Sequence, residues 1–152
     1  RVFDPSGNEV VFQGALDPHT PIGQGWLRAS HRKLDPALST EYRPYHTHDA
    51  VEPLAPGEIY EFDVEIWPTS IVVPAGYRLA LTVRGKDYEY AGEAAGLGTV
   101  VNPMRGSGPF THTNPWDRPM EIYGGRTMLY AGGDKKAYLL LPIIPPAAGR
   151  KA

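Results

Sequence analysis

The stretch HTNPWDRPMEIYGG, His112 to Gly125, places a histidine, an aspartate, an arginine and a tryptophan within seven residues. A histidine and an aspartate are two thirds of an acyl-transfer triad, which still needs a nucleophile and an oxyanion hole. The five serines are Ser6, Ser30, Ser39, Ser70 and Ser107. None has a glycine two residues before it, so the strained G-x-S-x-G elbow of α/β-hydrolases is absent. Ser107, in RGSGP, comes nearest, but Arg105 stands where the first glycine belongs. Its neighbours read as a turn.

Other chemistries fare no better. HTHD at His46–Asp49 resembles H-x-H-x-D with the aspartate one residue early. On extended backbone His46 and His48 share a face and Asp49 points away. No third ligand is evident, so solvated loop histidines are expected and no metal is assigned. Glu61, Asp63 and Glu65 alternate along one strand face and read as solvated. AGLGTVV lacks the lysine and following helix of a phosphate loop. Trp26 and Trp67 lie in or beside strands and read as core, whereas Trp116 sits in a loop.

The elements that carry these residues are strands. The 17 glycines and 16 prolines, in a chain of 152 residues that is 41% apolar, imply many short strands and tight turns rather than disorder. RVFDPSGNEVVFQG reads as a hairpin, with Asp4-Pro5-Ser6-Gly7 turning Val2-Phe3 back into Val10-Val11-Phe12. GQGWLRAS reads as a strand. HRKLDPALSTEYRPYHTHDAVEPLAP reads as a long surface connection. In GEIYEFDVEIW, Tyr60, Phe62, Val64 and Ile66 alternate with acids. In GYRLALTVRG, Tyr77, Leu79, Leu81 and Val83 alternate with polar or small residues. These two apolar faces are expected to share one core between two sheets. Residues 86–119 read as a long loop with a small Ala-rich patch at Ala91–Ala95. RTMLYAGG and AYLLLPII are the last strands, the second apolar enough for a doubly covered position. The expected class is an all-β sandwich, mostly antiparallel.

Composition excludes several partners. A net charge of −2 with no basic stripe argues against nucleic acid. No run of 18 apolar residues exists to span a membrane. The absence of cysteine rules out disulfides and thiolate chemistry, and favours the cytoplasm without deciding it. No signal peptide is visible. Arg1-Val2-Phe3 reads as mid-strand, which suggests an upstream segment.

Four stretches carry a resemblance: GWLRASHRKLDP, PLAPGEIYEFDVEIWPTSIVVPAGYRLALTVRG, FTHTNPWDRPMEIYGG and AYLLLPIIP. Their order and spacing resemble the C-terminal domain of the CocE/NonD hydrolases, from about Gly25 to Pro145. That group includes cocaine esterase-like enzymes, α-amino-acid ester hydrolases and X-prolyl dipeptidyl-peptidases. The resemblance implies a galactose-binding-like jelly roll over residues 1–145, with a tail at 146–152. The roll's first strands would precede Arg1. It also implies a parent serine hydrolase whose Ser-Asp-His triad lies in a preceding α/β-hydrolase domain. No catalytic residue carries over, since the nucleophile motif is absent. This chain alone is then not an enzyme and needs no cofactor. Its partners are the α/β-hydrolase domain and, through it, a small ester or peptide substrate, with homo-oligomerisation left open. His112, Asn114, Trp116, Asp117 and Arg118 become candidates for the interface with that domain. An internal brace and direct substrate contact are the other readings of this loop. The rival function is an independent carbohydrate-binding, lectin-like module, since fold alone decides no function.

Overall fold

Asp4 organises the first turn. Its Oδ1 accepts from the Asn8 amide at 2.8 Å and its carbonyl from the Gly7 amide at 3.0 Å. Gly7 has φ 89°, a left-handed conformation that glycine adopts without steric cost. In the computed structural model, strands β1 (Val2–Phe3) and β2 (Glu9–Val10) therefore pair antiparallel, Val2 facing Val10. Strand β3 (Arg78–Leu79) joins the other edge of β1, giving the order β2-β1-β3. The structure describes residues 1–12, 17, 19–92, 105–106, 111–112 and 114–145. The Ser107 turn, AGLGTVV, most of the Ala-rich patch and the tail at 146–152 lie outside them. The fold is all-β. Extended backbone dominates, and helix is confined, among the described residues, to a 3₁₀ turn at Ala29–His31 and the short α1 (Met120–Tyr123).

Val2, only 2% exposed, sits at the centre of this sheet. The Arg1 guanidinium clasps Glu9 across the hairpin through two bonds of 2.7 Å. That bond, first, holds the Glu9 carboxyl below the usual glutamate range against the opposing effect of burial. A depressed carboxyl contributes stability above its unfolded value, and the contribution is lost as pH falls through the lowered folded value. Acid titration of the unaltered protein should therefore loosen this hairpin only below the ordinary glutamate range. Amide exchange of Val10 in Glu9→Gln should already be fast at neutral pH; equal protection in both proteins would remove the clasp's importance.

A second close approach joins the segment around Gly25 to that around Glu65. The Trp67 amide donates to the Gln24 carbonyl at 2.9 Å, and a Cβ on Gly25 would lie 1.9 Å from the Glu65 carbonyl oxygen. Only glycine lets the two backbones meet here. Gly25→Ala should cost about 1–2 kcal/mol by forcing them apart. A thermal midpoint unchanged from the parent would show that the segments separate freely.

Three expectations need correction. The long surface connection expected at 31–56 contains a small hairpin at 33–47. Leu34 bridges His46 and Thr40 bridges Arg43, with Asp35 and Thr47 amides bonded to Tyr45 and Lys33 carbonyls at 2.8 and 3.0 Å. Asp35 Oδ1 accepts from the Ala37 and Leu38 amides and sets the turn of this hairpin. Second, the apolar rows at 60–66 and 77–83 do not close over one another. Phe62, Val64, Ile66, Leu79, Leu81 and Val83 are all exposed, Phe62 by 39% and Val83 by 59%. Third, Leu139 to Leu141 are likewise exposed instead of doubly covered. Alternation sets which side chains share a face, but a second layer must cover that face, and the described residues do not supply it. The turn between the last two extended segments does form, at Gly132–Lys135, on two left-handed glycines.

Candidate functional site

Asp87 lies eight residues beyond β3 and faces two distant parts of the chain. Its side chain is 8% exposed. Oδ1 accepts from the Trp26 indole at 3.0 Å and meets His112 Nδ1 at 2.9 Å, while Oδ2 accepts from the His112 amide at 2.6 Å. Burial pushes the Asp87 carboxyl up. The His112 amide and ring, with the indole, outweigh it and hold the group below the usual aspartate range. Lys86, Asp87, Glu89, Thr111 and His112 line a shallow depression of about 240 Å³ beside this tie.

From Asn114 onward the loop is tied both by its own residues and by Arg28. The Asn114 side chain accepts from the Trp116 amide at 3.0 Å, and its carbonyl accepts from the Asp117 and Arg118 amides. That is an Asx turn feeding a helical turn. Arg118 donates to the His112 carbonyl at 3.2 Å, and its Nε is buried without a partner. Arg28 reaches in to pair with Asp117 and lies 5.5 Å from the centre of the Tyr123 ring. The Asp117 carboxylate is half exposed, so the pair orients the loop more than it stabilises the fold. Pro119 then starts α1, and its carbonyl accepts from the Ile122 and Tyr123 amides. Gly124 ends it by leaving helical backbone at ψ 76° while its amide donates to the Met120 carbonyl at 2.8 Å, and a Cβ there would lie 2.5 Å from that oxygen. The outcome is a loop tied from Asn114 to Gly124 that leaves Trp116 92% exposed, with Met120 and Ile122 exposed as well.

The five sequence candidates thus share one loop, with His112 and Asn114 at its base, Asp117 and Arg118 as braces and Trp116 at its tip. Sequence reasoning missed Arg28, Trp26 and Asp87 as their partners. Arg28 lies 89 residues from Asp117, Asp87 25 from His112, and Trp26 61 from Asp87. No local pattern marks them. Trp26 and Trp67 meet edge to face at 5.3 Å, with Trp26 half-buried and Trp67 exposed rather than core. Glu61 and Asp63 are solvated, and Glu65 is half-buried.

An aspartate–histidine pair polarises a nucleophile only if one stands at the other ring nitrogen. Among the described residues, no serine hydroxyl bonds His112. Ser30 contacts a histidine, His31, through Nδ1 at 3.1 Å, and nothing in that contact supplies the carboxylate or oxyanion donors of an acyl-transfer centre. The HTHD histidines do gain a third imidazole, His31, 5.7 Å from His48 between ring centres. Yet no group of described histidines and acids has the arrangement to hold a metal ion.

Two mycobacterial proteins resemble the chain. Those named "Putative serine esterase" in Mycobacterium bovis and Mycobacterium tuberculosis are each 29% identical over 106 residues, covering 65% of this chain. The chain spans 17% of the length of each. No solved structure matches it significantly. Residues 1–139 match the X-Pro dipeptidyl-peptidase C-terminal non-catalytic domain, nearly the full length and all three strands. The chain belongs to the family of X-Pro dipeptidyl-peptidase C-terminal non-catalytic domains, a family of β-sandwich domains.

Proposed function

We propose that the chain is the non-catalytic module of a serine hydrolase acting on ester or X-Pro peptide bonds, and that it packs on the α/β-hydrolase domain through the loop at 112–118. The jelly-roll arrangement over residues 1–145 belongs to the same proposal. The observation that carries it is Trp116, 92% exposed at the tip of a loop braced by Arg28 and Asp87. Ordering an aromatic in solvent costs entropy that a contact elsewhere must offset. Tryptophan and arginine on a rigid frame are the usual anchors of protein interfaces. Substrate is then met by the hydrolase domain, whose surroundings this module shapes.

Fluorophosphonate labelling tests the division of labour. The parent enzyme should label at one serine outside this chain, and the chain alone should neither label nor turn over a chromogenic ester. Labelling of any of its own serines, with turnover, would overturn the reading. The carbohydrate-binding alternative ranks behind. The edge-to-face Trp26–Trp67 pair offers no flat two-ring platform for a sugar.

A further inference from the structure

The hairpin at 33–47 brings three imidazoles together. His48 lies 5.7 Å from His31 and 6.0 Å from His46 between ring centres. His46 sits at the Leu34 bridge, and its Nε2 is buried without a hydrogen-bond partner. His48 holds φ at 52°, a left-handed conformation that few side chains other than glycine adopt. A left-handed residue and an orphaned nitrogen coincide at one cluster, where burial disfavours a charge on His46.

We propose that His46, packed beside His48, is an acid-sensitive latch, which releases the 33–47 hairpin from the segment around Asp63 when its ring takes up a proton. Protonation charges a partly buried ring whose Nε2 is buried without a hydrogen-bond partner and whose centre lies 6.0 Å from that of His48. Burial, first, and the neighbouring His48 hold His46 below the ordinary imidazole value. The bond to the Asp63 backbone and the Asp63 and Glu65 carboxylates on the facing segment oppose this, without prevailing. The other charged groups around the cluster are paired. Lys33 bonds Asp49 at 2.8 Å, and Arg32 pairs with Glu52 and lies over Tyr60. The Asp49 carboxyl is held at about 2, so it stays ionised throughout the window in which histidines titrate. The sign follows. A base whose folded value is depressed stabilises the fold above its unfolded value, and that stability is lost as pH falls through the lowered one.

The test uses the full-length protein and hydrogen–deuterium exchange read by mass spectrometry. Between about pH 7.5 and pH 5.5, after correction for intrinsic rates, exchange in peptides covering the Asp35 and Thr47 amides should rise several-fold. His46→Gln, which keeps a neutral polar group, should flatten this response. Exchange of the imidazole C2 hydrogens in the unaltered protein should place His46 below an unstructured histidine, and this decides the matter even where the variant fails to fold. Constant amide protection across the window, an unchanged response in His46→Gln, or His46 titrating at or above the unstructured value would each overturn the latch.

Discussion

Replacing Asp87 by alanine is expected to lower the stability of the domain by about 2–4 kcal/mol, because it strips charge-assisted bonds from partly buried groups. The Trp26 indole, the His112 amide and the His112 ring would lose one common acceptor. At about 2–4 °C per kcal/mol for a domain of this size, the thermal midpoint should fall by several degrees or more. Asp87→Asn keeps the shape and one acceptor oxygen but loses the charge, and should fall between parent and alanine. Since Asp87 is depressed below the usual aspartate range, its contribution is present at neutral pH and lost as pH falls through that lowered value. The difference between parent and Asp87→Ala should therefore shrink in acid. A midpoint in the alanine variant equal to the parent's at neutral pH would mean that water replaces the carboxylate at no cost, and that the loop's base is not tied there.

Trp116→Ala should behave in the opposite way. The side chain touches little of its own domain, being 92% exposed. The domain's own midpoint should thus move by no more than about 0.5 kcal/mol would cause, as at other surface sites. Association with the hydrolase domain should weaken by about 2–4 kcal/mol, roughly 30- to 1000-fold in Kd, the scale of an interfacial tryptophan anchor. In the full-length enzyme the two domains should then melt as separate transitions, with kcat little altered. A collapsed kcat with joint melting preserved would instead assign the loop to catalysis. Asp117→Ala separates brace from anchor. It removes a half-exposed ion pair with Arg28, and it should loosen docking through loop mobility while leaving the domain's midpoint near the parent's.

Much of this was legible locally. The hairpin from Val2 to Val10 was written in Asp4-Pro5-Ser6-Gly7, because a turn closed by one side chain and one left-handed glycine needs no distant partner. The local turns at 114–125 were legible for the same reason, since the Asn114 turn, the start at Pro119 and the stop at Gly124 are contacts within a few residues. Four ordered blocks carried the family resemblance, which the match over residues 1–139 shows. The hairpin at 33–47 was hidden by its prolines, although Asp35 sets its turn by side-chain capping that composition alone does not reveal.

Tertiary structure decided the rest. Arg28 meeting Asp117 across 89 residues, Asp87 collecting Trp26 and His112, and Gly25 lying against Glu65 all depend on how extended segments pass one another. So does the third imidazole, His31, which no spacing rule places beside HTHD. Period-two alternation predicted apolar faces at 60–66 and 77–83, but it carries no information about what covers them, and within the described residues those faces stay open. The reason is physical. Turns and caps are short-range hydrogen-bonding decisions, made residue by residue. Long-range pairs and face coverage are set by the approach of whole segments, which depends on the partner surface as much as on the segment itself.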